Sequence, residues 1–339
     1  MLTNRDLKVA LRTNQLRNYL IFNILQRKIG HYEGHKHGDL IIAIGAMHGN
    51  EPAGVHALKL LFDMLQKEPL RNPAFRFSGR LVGLIGNIQA LERRQRFVKK
   101  DLNRQLTPEN IEKARGSLLQ NAFEKAPQYE PVFEDLELIE LMQAIDNEIV
   151  NYQPKRLIVL DLHTTSADGG IFSIVADDPE SVALAETLHA PVVMGLIGAT
   201  GGSTLHYFTE KNMGIPTVAV AFESGKHDDL YSTRRAVAWL VHVLRSVGSI
   251  SQYDVENRHE IILKNYSRDL PKTVQLLDSH PITPMDEFKM FGNFRNFQPV
   301  RKGEILAKDR NGFIVAPQDC RVLMPLYQAQ GSEGFFLVI

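Results

Sequence analysis

The chain has 339 residues, which at roughly 100–200 residues per domain predicts two or three domains with ample apolar material for a large core, and excludes a peptide or disulfide scaffold. Lysine plus arginine (39) balances aspartate plus glutamate (39), so a polyanion binder working by bulk charge is excluded and no nucleic-acid partner is expected. One cysteine, Cys320, can form neither an intrachain disulfide nor a thiolate metal site; a reducing compartment, the cytoplasm, is expected, with imidazole and carboxylate as the available metal donors.

Residues 1–38 are polar and weakly periodic, with Gly30, Gly34 and Gly38 ahead of the first strong strand, and predict an edge helix and a hairpin. The apolar run Leu20 to Leu25 is broken by Asn23 and lies too far inside the chain for a signal-peptide core; nothing approaches the ~18 apolar residues of a membrane span, so no membrane partner is expected. Leu40-Ile41-Ile42-Ala43-Ile44 predicts a strand buried on both faces, then a glycine-bearing turn and a helix through about Leu65. Similar strands are predicted at Leu81–Ile85, Arg156–Leu160 and Thr217–Ala221. Between them run amphipathic helices, one burying Leu138, Leu141, Met142, Ile145 and Ile149, another Ala236, Leu240, Val243, Leu244 and Val247. Lys99 to Pro131 is polar and proline-punctuated, and predicts an excursion with at most short helices. Beyond about residue 250 the rhythm gives way to short β-rich stretches between glycines. The predicted fold is α/β, a mostly parallel mixed sheet flanked by helices (1–250, the catalytic domain), with a smaller C-terminal all-β domain (251–339).

Ligands of open α/β sheets collect outside the carboxyl ends of the strands, so the residues delivered there carry the chemistry. The first strand delivers His48 and Glu51, three apart across a strand-to-helix turn, and both are ordinary zinc ligands. The third strand delivers His163. Two histidines and one glutamate leave a fourth position open to water, the arrangement of a catalytic zinc. Asp161, two before His163, points to the same side of the strand; it either orients that histidine or caps a neighbouring turn. Glu223 follows an apolar strand, where a carboxylate is costly without a partner or a task; the task would be general base on the activated water, then acid toward the departing nitrogen. Arg93, Arg94, Arg96 and Arg104 bring guanidinium groups suited to a carboxylate. A phosphate loop is disfavoured, because no lysine and hydroxyl pair follows Gly45–Asn50, and neither Ser166 nor Ser224 sits in a nucleophile elbow.

Together, His48-Gly49-Asn50-Glu51, Gly86-Asn87, Asp101-Leu102-Asn103-Arg104, Asp161-Leu162-His163-Thr164 and Glu223 resemble the succinylglutamate desuccinylase and aspartoacylase family, relatives of the zinc carboxypeptidases, over roughly residues 38–245. The resemblance implies one zinc per chain on His48, Glu51 and His163, with Glu223 as the catalytic carboxylate. It implies that Asn103 and Arg104 hold the substrate carboxylate and that Arg96 polarises the scissile carbonyl, with Arg93 and Arg94 as competitors. It implies a zinc-dependent amidohydrolase that removes a succinyl- or acetyl-type group from an N-acyl amino acid, a small molecule. The alternatives are a carboxypeptidase acting on peptides and a noncatalytic relative that binds small molecules. The approach to Glu223, His206 to Lys211, lacks the arginine that aspartoacylase-like enzymes use for aspartate, and His227-Asp228-Asp229 departs from the desuccinylase pattern, so the acyl group stays open. The tail from Val300 to Ala307 resembles a biotinyl/lipoyl-type barrel sandwich without the carrier lysine, and is expected to be a wall. Homo-oligomer formation is left open.

Overall fold

The computed structural model describes residues 26–123, 133–255 and 258–339. It divides into two compact units, one running to Asp161 with Thr200–Ala219 added, the other formed by Leu162–Ala199 and Val220–Ile339. The fold is a mixed, mostly parallel sheet with flanking helices and a C-terminal antiparallel β region. Among the described residues no helix is long and apolar enough to cross a membrane.

Unit one is built on β1 (Lys28–Glu33), β2 (Lys36–Gly45), β3 (Ser78–Ile85) and the opening halves of β4 (Leu157–Thr165) and β7 (Thr217–Lys226). Leu40 to Ile44 are fully buried, as a strand covered on both faces requires. Helix α1 (Ala53–Arg71) buries Val55, Leu58, Leu61, Phe62 and Leu65. Among the described residues the expected hairpin does not form. β2 is flanked by β3 and β4, so both of its edges are taken, and β1 instead pairs antiparallel with the outer edge of β3. The connection turns at Gly34, whose amide donates to Gly79 O at 2.9 Å and where a Cβ would lie 1.9 Å from Phe77 O. The helix expected ahead of β1 falls on residues outside the described ones.

The excursion after Lys99 holds more helix than its prolines suggest. After a short α2 (Ile88–Arg93), α3 runs from Pro108 to Phe123, with Thr107 Oγ1 accepting from Asn110 N at 3.1 Å and Pro108 in the first turn, where its missing N–H costs nothing. Helix α4 (Phe133–Tyr152) buries Leu138, Leu141, Met142 and Ile145, with Ile149 half-buried.

Unit two carries the remaining halves of β4 and β7 and then β5 (Phe172–Val175), β6 (Val192–Met194) and β8 (Thr273–Pro281). α5 (Pro179–Glu186) lies between β5 and β6, and α6 (Ser232–Ser246) follows β7. A ten-residue helix, α7 (Arg258–Ser267), precedes the β-rich C-terminal segment. That segment adds β9 (Lys289–Met290), β10 (Gln298–Val300), β11 (Ile305–Asp309), β12 (Gly312–Val315), β13 (Cys320–Leu323) and β14 (Glu333–Val338). β8, β14, β13 and β10 form an antiparallel run, and β12, β11 and β9 a separate antiparallel sheet. Ala236, Leu240, Val243 and Leu244 of α6 are buried. Trp239, the one tryptophan of the chain, stacks on Phe222 of β7 at 4.8 Å and donates its indole N–H to Ser173 Oγ of β5 at 3.2 Å. His242, half-buried on the same helix, has its imidazole pushed down to about 4, by burial first and then by His189, so it is uncharged at neutral pH.

In unit one a fully buried arginine ties β3 to α4. Arg27 donates to Ile85 O and Gly86 O and pairs with Glu137 and Glu140, while Glu137 also accepts Ile88 N at 3.2 Å and Gln89 N at 2.9 Å, capping α2. Arg27→Met leaves two buried carboxylates without their cation, and is expected to destabilise the protein by roughly 3–5 kcal/mol. Urea unfolding reads this as a lower midpoint; an unchanged midpoint would show that the network contributes nothing.

Candidate active site

The turn after β2 is shaped by backbone contact. Ala46 adopts a left-handed conformation (φ 58°), and a Cβ on Gly49 would lie 2.0 Å from the carbonyl carbon of Ala90, so only glycine fits there. Gly86 N donates to Gly45 O and Asn87 N to Ala46 O, each at 2.9 Å, and the Asn87 side chain accepts Ala90 N at 2.9 Å as the α2 cap. The Gly86-Asn87 pair therefore clamps the turn that presents His48 and Glu51.

Both side chains are buried, His48 to 4% exposure and Glu51 to 1%. His48 Nδ1 stands 2.9 Å from Glu51 Oε1, and Nε2 stands 3.2 Å from Asp101 Oδ1. Arg96 donates to Asp101 Oδ2 through Nε (3.1 Å) and Nη2 (3.0 Å), while Nη1 lies 3.7 Å from Glu51 Oε1. Burial by itself would raise the Asp101 carboxyl, but His48, Arg96 and Arg104 outweigh it and hold Asp101 well below the usual carboxylate range. An ionised Asp101 accepts a hydrogen bond from Nε2–H of His48, so Nδ1 is the nitrogen turned toward Glu51. Nδ1 and Glu51 Oε1, 2.9 Å apart in a buried place, need a positive charge between them, either a proton or a metal ion. The residues present therefore fit a metal.

The three arginines are placed differently. Arg93 is exposed with its guanidinium 4.7 Å above the Phe133 ring, and exposed Arg94 ends α2 in a left-handed conformation; Arg96 is the one held beside Glu51. Asn103 spends its Oδ1 on Thr204 N (2.9 Å) and Thr204 Oγ1 (3.0 Å), and Arg104 Nη1 donates to Asn103 O at 2.8 Å. Asp161, 1% exposed, is the last residue of unit one, and β4 continues from it to His163.

In unit two, His163 and Glu223 are each 6% exposed. Ser224, next to Glu223, donates its hydroxyl to His163 O at 3.1 Å. Arg235, 1% exposed, donates to Ser224 O at 2.9 Å and pairs with Asp229 at 2.6 Å; it fills the space beside Gly225 (φ 119°), where a Cβ would lie 2.2 Å from Nη1. A second linkage joins the strand ends to the C-terminal segment. Thr164 Oγ1 is 2.7 Å from His227 Nδ1, His227 Nε2 is 3.1 Å from Gln328 Oε1, and buried Asn296 donates to Thr165 Oγ1 at 3.1 Å while accepting Met324 N at 2.7 Å. None of Asp101, Thr164, His227, Asn296 and Arg235 is given a role by sequence spacing, although Asp101 stands inside the Asp-Leu-Asn-Arg motif and Thr164 inside Asp-Leu-His-Thr. His48 and Glu51 in unit one and His163 in unit two are all buried, and each offers a donor of the kind that holds a metal ion.

Residues 37–238 match the family model described as the succinylglutamate desuccinylase/aspartoacylase catalytic domain. Solved structures share the fold at low identity, three of them as follows. A product-bound ectoine utilization protein from Ruegeria pomeroyi is 17% identical, with a TM-score of 0.58 over 91% of this chain and 86% of its own. A succinylglutamate desuccinylase from Vibrio parahaemolyticus is 15% identical (TM-score 0.55; 89% and 82%), and a succinylglutamate desuccinylase/aspartoacylase from Rhodobacter sphaeroides 16% identical (0.56; 89% and 87%). No curated protein sequence matches.

Asp101 orients the His48 imidazole, so for a metal ion held at His48 and Glu51 Asp101→Asn is expected to weaken binding by roughly 10- to 100-fold while leaving the fold intact. Calorimetric titration with Zn²⁺ measures this, and an affinity equal to wild type would remove Asp101 from the role.

Proposed function

The chain belongs to the succinylglutamate desuccinylase/aspartoacylase family, and from that premise we propose that it is a zinc-dependent amidohydrolase removing a succinyl- or acetyl-type group from an N-acyl amino acid. The observation that carries this reading is the buried His48–Glu51 pair, with Asp101 behind the imidazole and Arg96 beside the carboxylate. We assign His48, Glu51 and His163 as the ligands of one zinc ion, which when bound lowers the pKa of water to about 7 and so supplies a nucleophile at neutral pH.

The chain's own residues do the rest. Glu223 is the proton carrier, taking a proton from the attacking water and delivering it to the departing nitrogen; as a buried carboxylate outside the ligand set it is able to change protonation during turnover. Arg96, clamped by Asp101 through Nε and Nη2, is already fixed beside Glu51 and steadies the oxyanion as the carbonyl becomes tetrahedral. Arg104 takes the substrate carboxylate, with Asn103 bracing the loop against Thr204. Asp161 orients His163 along β4. The β-rich C-terminal segment, tied through Asn296 and Gln328 to the ends of the strands that carry His163 and Glu223, serves as a wall and takes no part in the chemistry. The substrate is a small molecule, with no nucleic-acid or membrane partner.

Hydrolysis of a panel of N-acyl amino acids against peptides tests the substrate class; cleavage of peptides alone would overturn it. His48→Ala and His163→Ala are expected to lose the zinc, and wild-type metal content in both would sink the ligand set. In zinc-replete Glu223→Gln, single-turnover hydrolysis is expected to fall by about 10²–10⁴. A near-wild-type rate would refute the proton carrier, and a loss that merely tracked zinc content would make Glu223 a ligand.

A further inference from the structure

Three donors meet elsewhere in unit two, on elements that the chemistry above does not use. His189 lies in the turn between α5 and β6, His242 on α6 and Glu260 on α7. His189 Nε2 is 3.4 Å from Glu260 Oε1. The two imidazoles meet edge to face, with centroids 4.5 Å apart at 79°. One donor atom from each of the three residues lies within 4.8 Å of the others. Bonds of 2.0–2.1 Å to a tetrahedral ion place neighbouring donors about 3.3 Å apart, so the His189–Glu260 separation already suits a shared ion.

Two further observations point to a ligand here. Both ring nitrogens of His242 are buried, and neither meets a hydrogen-bond partner from another described residue. An uncharged imidazole with both nitrogens out of water and no partner beyond its own backbone is a costly arrangement, and a metal bond removes that cost. His189 holds its place at a left-handed backbone conformation (φ 54°), uncommon for a residue with a side chain. The turn is pinned there by Ser267 Oγ, which donates to His189 O at 2.9 Å, and by Thr187 Oγ1, which donates to Ser246 Oγ at 2.8 Å.

We infer that His189, His242 and Glu260 form a second divalent-cation site, of the nitrogen and oxygen donor type that zinc favours, with its remaining position open to water. The site joins the α5–β6 turn, α6 and α7. Its structural role follows from its placement on three separate elements of one unit. Opposing charge sets its strength: Lys264 donates to Glu260 Oε1 one helical turn along α7, and Arg245 lies close enough on α6 to act on His242 and Glu260. A cation entering the site must share the Glu260 carboxylate with Lys264.

The test is zinc stoichiometry of the full chain by equilibrium dialysis against Zn²⁺ alone, with cobalt substitution to read tetrahedral nitrogen and oxygen coordination by its visible absorption. His189→Ala and Glu260→Gln, both at partly exposed positions, are each expected to lose one equivalent or weaken it roughly tenfold or more, while His48→Ala leaves that equivalent in place. Lys264→Met is expected to tighten it about two- to fivefold, the scale of an exposed charge interaction. Zinc content unchanged in both His189→Ala and Glu260→Gln would overturn the site, as would an equivalent that disappears only with His48→Ala. A failure of the His48 site would instead leave the His189-dependent equivalent untouched, so the two readings fail separately.

Discussion

The largely buried carboxylate of Asp101, with the partners it holds, is the interaction on which the chemistry of unit one depends. Removing a carboxylate from water costs several kcal/mol unless opposite charge and hydrogen bonds replace the lost hydration. Asp101 finds both, from His48 and Arg96 and from the amide of Asn103 at 2.9 Å. Each partner is constrained in return. The imidazole is given one tautomer, the guanidinium one orientation, and the chain one way into the short turn that holds Asn103 and Arg104. Exchanging Asp101 for an uncharged residue of the same shape would keep the outline of the site and lose the direction of its dipoles.

The parts of this arrangement that were legible in the sequence are those with a period or a fixed spacing. Leu40 to Ile44 reads as a doubly covered strand and is one. His48 and Glu51 read as a pair delivered by a turn, and the turn delivers them. Pairing was not legible, because nothing in residues 28–45 says that β2 will have both edges occupied; that follows from β3 and β4, which lie far along the chain. The helix from Pro108 was hidden by treating proline as a stop, when Thr-Pro-Glu is also how a helix begins. Asp101 was hidden for another reason. It lies more than fifty residues from His48 in a polar stretch, and carboxylates in polar stretches are usually solvated; only the fold brings it under the imidazole.

Unit two shows how a strand end is made rigid without regular structure. β7 passes from Glu223 into Ser224-Gly225, and Arg235 reaches back from α6 to hold the Ser224 carbonyl and the Asp229 side chain. Gly225 supplies the conformation, and Arg235 fills the space a side chain would need. The C-terminal segment repeats the device with Asn296, whose one amide group serves β4 and the backbone of Met324 at once. Preorganised sites depend on such supporting bonds, because a reactive side chain is only as well placed as the backbone that carries it.

The stacking of Trp239 on Phe222 gives the molecule a built-in optical probe. With no other indole in the chain, tryptophan emission comes from one ring that is wholly buried, lies nearly parallel to Phe222 and is bonded through its N–H to Ser173. Phe222 immediately precedes Glu223, so the chromophore reports on the strand that carries the carboxylate. Its colour and quenching will therefore register loosening of β7, and an unlabelled sample is enough to follow that strand through denaturation or ligand addition.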